Sequence, residues 1–337
     1  MQVKDPGWNS EFKRVGLPGA SVRVDNVSSA CILLPVSTTL FAEPRRAQRP
    51  SAAALLAGLL IWAAALALLP APLAARILLL APLVIVPRLL ALLPRTGVAR
   101  LAGWPALVAA LPLIASFALP PGPLAAVLAG PWLALAVIGV SAAVLHGLAQ
   151  LPSILLPHRW ADLGIDVALG FWAVGAIFTI VDRLGVETGF SPAIVLLTAT
   201  HFHFAGFGLL GLVSLLARSR AWLRAPVAGL IVGIPLTALG FVLVSDAVSA
   251  VGAVFVGLSG IVAGIGLLTV AWSGPAQWAS RLAGAALLVG MPMGIAWSLA
   301  ILLGGAFLDL DTMIRTHGVL NATAVLLGAA AYRPDGA

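Results

Sequence analysis

The sequence predicts an all-α protein, a polytopic transmembrane helix bundle of about ten spans with both termini on the cytoplasmic side. Three observations carry this. Hydrophobic residues make up 61% of the chain and charged residues 9%, with a mean hydropathy of +1.08. A soluble domain carries about 25% charged residues, so this chain cannot cover itself with a solvated surface. The apolar residues lie in continuous runs of about twenty, the length of a membrane-crossing helix, not in the alternating ten-residue pattern of a membrane barrel. Basic residues alternate between one set of connections and the other along the chain. Intrinsic disorder is excluded by the same apolar content.

Residues 1–50 differ from the rest of the chain. Lys4, Lys13, Arg14, Arg23, Arg45, Arg46 and Arg49 stand there against Asp5, Glu11, Asp25 and Glu43. One short mixed run, Cys31 to Ala42, is broken by Pro35 and is too short to span. The region reads as a flexible cytoplasmic tail, or as the product of an upstream start site. Cys31 is the single cysteine, so no internal disulfide and no cysteine-based metal site can form.

The transmembrane domain is read as 51–333. Its apolar segments are 51–69, 73–93, 101–119, 124–146, 163–181, 192–216, 226–245, 250–272, 282–304 and 316–332. Each has roughly 17–25 residues, which covers about 30 Å of hydrocarbon at about 1.5 Å per residue. The second is the least regular: Arg76 and Arg88 flank its middle, and Pro82 and Pro87 interrupt it. Arginines at such positions can snorkel to the headgroups. The fifth follows Arg159, Trp160, Asp162 and Asp166, where Trp160 suits the interfacial belt and Asp162 suits a helix N-terminus. Asp166 is the one acidic residue placed inside a span. The ninth contains Gly290-Met291-Pro292-Met293-Gly294, a sequence that kinks a helix or frees a carbonyl.

Orientation follows from the arginines. With the N-terminus inside, the inner connections carry Arg95 and Arg100, Arg159, then Arg218, Arg220 and Arg224, then Arg281 and Arg333. The outer ones carry Arg183 and Arg315, with Arg76 near a third. They also hold Asp182, Glu187, Asp246, Asp309 and Asp311; of these outer groups, Asp182, Arg183, Glu187 and Asp246 read as solvated. The net charge of +7 is thereby explained by orientation, and nothing points to nucleic acid.

Ionisable residues within spans are costly, so they mark candidate functional positions. The strongest block is Thr198-Ala199-Thr200-His201-Phe202-His203-Phe204 in the sixth segment. His201 and His203 are about 200° apart on a regular helix, so they face different sides and cannot chelate one metal together. One is expected to line a polar cavity and the other to brace a helix interface; His201 is the candidate for the cavity. The second block is Arg315-Thr316-His317-Gly318-Val319-Leu320-Asn321. His317, Asn321, Ala324 and Gly328 form one stripe of polar and small residues that must face other helices. His317 and Asn321 are expected to look toward 198–203 from the outer half. Thr198 and Asp166 complete the candidate set for substrate binding or proton handling. His146 reads as a packing residue.

The blocks His-Phe-His-Phe-Ala-Gly-Phe at 201–207 and Thr-His-Gly-Val-Leu-Asn-Ala at 316–322 resemble the signature blocks of the YndJ-like family. These are bacterial multi-pass membrane proteins often labelled as transporters. The resemblance implies that His201, His203, His317 and Asn321 belong to a family pattern, and it implies residence in the bacterial cytoplasmic membrane. It names no substrate.

Several chemistries lack their parts. No Walker A loop, Gly-x-Ser-x-Gly elbow, His-Glu-x-x-His motif or cysteine pair is present, so the reading points away from an enzyme. The first functional expectation is a small-solute or ion transporter working in the lipid bilayer without a cofactor. The alternatives are a haem- or metal-binding membrane protein, with transmembrane histidines as the available ligands, and a structural, sensory or accessory subunit.

Overall fold

The computed structural model describes residues 52–94, 96–150, 156, 159–305 and 307–334. The expected tail at 1–50 lies outside them. Among the described residues all regular structure is helical. The long helical stretches are α1 (Ala52–Leu68), α2 (Leu73–Leu90), α3 (Trp104–Ala118), α4 (Pro123–Ala149), α5 (Trp160–Leu184) and α6 (Pro192–Ala217). They continue as α7 (Ala221–Val242), α8 (Asp246–Leu268), α9 (Pro275–Leu302) and α10 (310–331). Seven of these, α2 and α4 to α9, are long and apolar enough to cross a membrane. α1 and α3 are shorter apolar helices.

Local chemistry sets the helix starts. Proline stands in the first turn of α3, α4, α6 and α9, where its missing N–H costs nothing. Ser191 and Ser245 cap α6 and α8 through their hydroxyls. Asp309 caps α10, its carboxylate accepting from the Thr312 N–H at 2.7 Å. That hydrogen bond holds the Asp309 carboxyl below its ordinary value of 3.8. Its stabilisation is therefore fully present above the ordinary value and is lost as pH falls through the lowered one. Wild type should unfold at a higher temperature than Asp309→Ala at neutral pH, and the gap should close on acidification below that range. A gap unchanged by acid would show that the carboxylate is not the cap.

The second segment, irregular in sequence, is the central helix. Leu79, Ile85, Val86, Leu89 and Leu90 expose no surface. The helix passes Pro82 by widening into a π turn, Ala81–Ile85. A proline offers no N–H to the ladder, and local π geometry lets a buried helix continue past it.

Small residues set the spacing elsewhere. A Cβ on Gly233 of α7 would lie 2.8 Å from Phe255 Cβ and 3.0 Å from the Gly252 carbonyl of α8. Gly264 of α8 and Gly284 of α9 face each other's carbonyls, at 3.0 and 2.6 Å from the added Cβ. Such contacts let helix backbones approach closely where dispersion, not hydrophobicity, drives association. Gly284→Val should therefore cost about 1–3 kcal/mol by overpacking. Thermal unfolding in detergent measures it, and wild-type stability in that variant would refute the close approach.

The arginines do more than mark orientation. Four of them reach carbonyls at the C-terminal end of another helix. Arg76 donates to Leu66 O of α1 at 2.9 Å. Arg88 donates to Ala329 O and Tyr332 O at the end of α10, at 3.0 and 3.2 Å. Arg183 lies 3.4 and 3.5 Å from Ser116 O and Leu119 O at the end of α3. Arg220 reaches Gly266 O and Thr269 O at the end of α8, both at 3.3 Å. Carbonyls in the last turn of a helix lack the N–H four residues on and carry the negative end of its dipole. Arg76 and Arg88 are thus helix caps inside the bundle, in place of the expected snorkelling. Asp182 and Arg183, expected to be solvated, are a buried pair at 2.8 Å with side chains 7% and 10% exposed.

Candidate functional site

Three helices carry π turns: Ala81–Ile85 in α2, Phe202–Leu209 in α6 and Ile314–Gly318 in α10. Their helices meet at Gly208. A Cβ there would lie 2.7 Å from Val325 Cγ1 of α10 and 3.6 Å from Ile85 Cγ2 of α2. Gly328 of α10 packs in turn on Leu212 of α6, at 2.5 Å from its added Cβ. The pairs 208 with 325 and 212 with 328 advance together, so α6 and α10 run in the same direction. π turns recur at functional sites because they redirect side chains within a helix.

His203 lies at the start of the α6 π turn and is fully buried. Its Nδ1–H donates to Ala199 O at 2.8 Å, and its Nε2 accepts from the Trp132 indole N–H of α4 at 3.0 Å. Both ring nitrogens are used, which fixes the neutral tautomer. The ring fits because α5 carries Gly175 opposite: a Cβ there would lie 2.6 Å from His203 Nδ1. Trp132 stacks on the imidazole with centroids 6.1 Å apart, and Trp172 closes on Trp132 at 5.3 Å. His203 therefore braces α6 against α4 and α5. It has no lone pair left for a ligand.

His201 points elsewhere and is exposed. Its Nδ1–H donates to Leu197 O at 2.8 Å, so Nε2 carries the lone pair. By register His201 lies seven residues outward from Gly208 and His317 eight outward from Val325, which puts the two at similar depth in their helices.

His317 and Asn321 were expected to look toward 198–203. Their side chains instead seat on α9. His317 Nδ1–H donates to Gly290 O at 2.8 Å. A Cβ on Gly294 would lie 2.7 Å from His317 Cε1, and one on Gly290 2.6 Å from Asn321 Oδ1. The i, i+4 spacing of the two polar residues matches that of the two glycines. This, not a break, is what the 290–294 sequence does: α9 is helical through Pro292. The Asn321 amide nitrogen lies 3.1 and 3.2 Å from the two ring nitrogens of His317. Only Nε2 can accept, since Nδ1 donates to Gly290. Asn321 Oδ1 is buried and, among the described residues, has no hydrogen-bond partner.

Two candidates lie apart. Thr198 donates to Ile194 O of its own helix at 2.8 Å. Asp166 pairs with His146 at 2.8 Å, not with Arg159. Asp162 one turn earlier takes Arg159 at 3.8 Å and Arg218. His146, Arg159, Asp162 and Asp166 line a small cavity between the end of α4 and the start of α5, and Arg218 at the end of α6 pairs with Asp162. Arg218 is seventeen residues beyond His201, about 25 Å along the helix, so this cluster is separate from the histidines. Among the described residues no three His, Cys, Asp or Glu side chains come together as metal ligands.

Sequence reasoning missed Trp132 and Gly175 around His203, and Gly290 with Gly294 beneath His317. The second pair had a readable signal in the matched i, i+4 spacings.

The family model described as YndJ-like protein matches residues 76–325. The chain belongs to the YndJ-like family. The match contains His201, His203, His317 and Asn321, and together with the apolar helices it makes this YndJ-like chain a multi-pass membrane protein. No curated protein matches it, and no solved structure does.

Proposed function

We propose that this YndJ-like chain is a small-solute or ion transporter of the bacterial cytoplasmic membrane, with ten spans and both termini inside. Its site is the crevice between the outer halves of α6 and α10. The carrying observation is that, among the described residues, His201 Nε2 accepts no hydrogen bond and Asn321 Oδ1 is buried without one, both within spans where lipid cannot satisfy them. α6 and α10 meet at Gly208 and Gly328 farther in, while the first turn of α2 packs against both outer halves. Transporters bind between helices near the bilayer midplane, at interrupted or widened turns. Trp104, Trp222 and Trp278, all exposed and all at helix starts on the inner side of this topology, suit an interfacial belt.

Two measurements test the reading. Cysteines at Gly185 and Ser219, in a Cys31-free background, should react with an impermeant external reagent and be shielded from it, respectively; the reverse pattern overturns the topology. Proteoliposomes challenged with pooled ions and small solutes should show uptake above empty liposomes. His201→Gln should lose that uptake at normal folded yield. No uptake from any pool would favour an accessory subunit.

A further inference from the structure

We propose that the end of the bundle formed by the starts of α7 and α9 and the end of α8 is a docking surface for an anionic phospholipid, with arginines at its phosphate and the exposed faces of α8 and α9 along its acyl chains. This goes beyond the transporter reading and stands without it.

Side-chain bonds to the last carbonyls of α8 hold the three helix ends together. Arg220, just before α7, donates to Gly266 O and Thr269 O, both at 3.3 Å. Ser280 of α9 donates to Leu267 O at 2.5 Å. Leu223 and Trp222 cover Gly266, where an added Cβ would lie 3.0 Å from Leu223 Cδ2 and 3.5 Å from the Trp222 ring. Arg220, Arg224 and Arg281 are thereby carried on one end of a three-helix layer.

The protein does not neutralise these arginines. No Asp or Glu lies between Glu187 and Asp246 or between Asp246 and Asp309, and Asp246 stands at the opposite end of α8. Among the described residues, the carboxylates at the end where α5 starts and α6 stops are Asp162 and Asp166, which take Arg159, Arg218 and His146. One side of that end is thus neutralised by α5, and the side built from α7, α8 and α9 is not. Arg224 also has a buried Nε without a hydrogen-bond partner among the described residues. A headgroup of net negative charge complements three such cations, whereas a zwitterionic one brings no net charge.

Arg281 lies over Trp278, 5.5 Å from the ring centroid. A guanidinium held over a ring face keeps its N–H edge free, and that edge matches a phosphate bidentately. Trp278 and Trp222 are both exposed, and indoles favour the headgroup level. Beyond this rim the surface is aliphatic. Leu282 stands one turn from Trp278 on α9, and Leu258 and Ile265 stand two turns apart on α8, all exposed. Cation, indole and aliphatic track follow the order of a phospholipid from phosphate to acyl chain. A free anion would use only the first.

The test uses the full chain purified in detergent, stripped of lipid and titrated with phosphatidylglycerol or phosphatidylcholine of the same acyl chains. Native mass spectrometry counts the bound lipid. Phosphatidylglycerol should bind roughly tenfold tighter or more at low salt, and the preference should shrink as salt is raised. Arg224→Gln and Arg281→Gln should each lower its affinity by about fivefold, the factor that one arginine contributes at an anionic surface. Arg281→Lys, which keeps the charge, should lose less than Arg281→Gln. Arg315→Gln should bind as wild type, since Arg315 lies near the start of α10 and is already paired with Asp311. Millimolar inorganic phosphate should leave phosphatidylglycerol bound. The wild-type preference is a readout that needs no variant to fold. Equal affinity for the two lipids overturns the proposal, and so does a preference that both glutamine variants keep or that Arg315→Gln loses equally. Displacement by inorganic phosphate would replace the lipid with a free anion and overturn it as well. Uptake assays bear on the crevice and not on this surface, so the two readings fail separately.

Discussion

Replacing His203 with alanine is expected to destabilise the protein by about 2–4 kcal/mol, adding a core cavity to an orphaned hydrogen-bond donor. The imidazole fills the slot that Gly175 leaves in α5, and the slot is too deep to collapse without moving α4 or α5. Its loss also strands the Trp132 N–H, which now donates to Nε2 at 3.0 Å. Inside a bilayer no water replaces that acceptor. Trp132→Phe should cost less, because it removes the donor while keeping most of the ring. The double variant should cost less than the sum of the two single changes, since both remove one shared bond. Thermal unfolding of the purified variants gives all three numbers. Folded His203→Ala should still support uptake. Wild-type stability in that variant would sink the bracing role, and loss of uptake with intact folding would move His203 into the site.

The fold class was legible because it depends on composition and run length. Each of the ten apolar segments coincides with a helical stretch, and some nearly to the residue, as 192–216 does with Pro192–Ala217. The π turns were not legible. A stretch such as Phe202–Leu209 has the same residues it would have in an α-helix, and no local pattern in it marks the wider turn. For the site, periodicity placed His317 and Asn321 on a buried face but could not say which helix covers it. The covering helix was α9, whose two glycines make room that a side chain would fill. Asp166 shows a different limit. Arg159 is nearer in sequence, yet His146 reaches Asp166 across the α4–α5 hairpin, where helix geometry and not sequence distance decides neighbours. Charge counting gave the arginines a side of the membrane. It could not show that Arg88 and Arg220 hold the carbonyl ends of other helices, because a cap depends on where a distant helix stops.

Arg183→Leu is expected to cost about 3–5 kcal/mol, the loss seen when one partner of a buried ion pair is removed and the other charge stays behind. The residue is 8% exposed, and its Nε donates to Asp182 Oδ2 at 2.8 Å. Its guanidinium lies 4.3 Å from the centroid of the Phe117 ring and reaches the carbonyls at the end of α3. The backbone joins the same junction, with Gly122 N–H donating to Arg183 O at 2.7 Å. Removing the side chain therefore strands the Asp182 carboxylate and unties α3 from α5 together. The two losses can be separated. Asp182→Asn with Arg183→Leu removes the stranded charge and should recover part of the stability, leaving the cost of the lost caps and of the contact with Phe117. Arg183→Lys keeps a charge beside Asp182 but cannot serve a carboxylate, two carbonyls and a ring face from one planar group, so it should fall between wild type and Arg183→Leu. Unfolding temperatures of the four proteins in one detergent order them. If Arg183→Leu matched wild type, the pair would be solvated, as its position in an outer connection implied. If the double variant were no better than Arg183→Leu, the carbonyl caps and the ring contact would carry the whole effect.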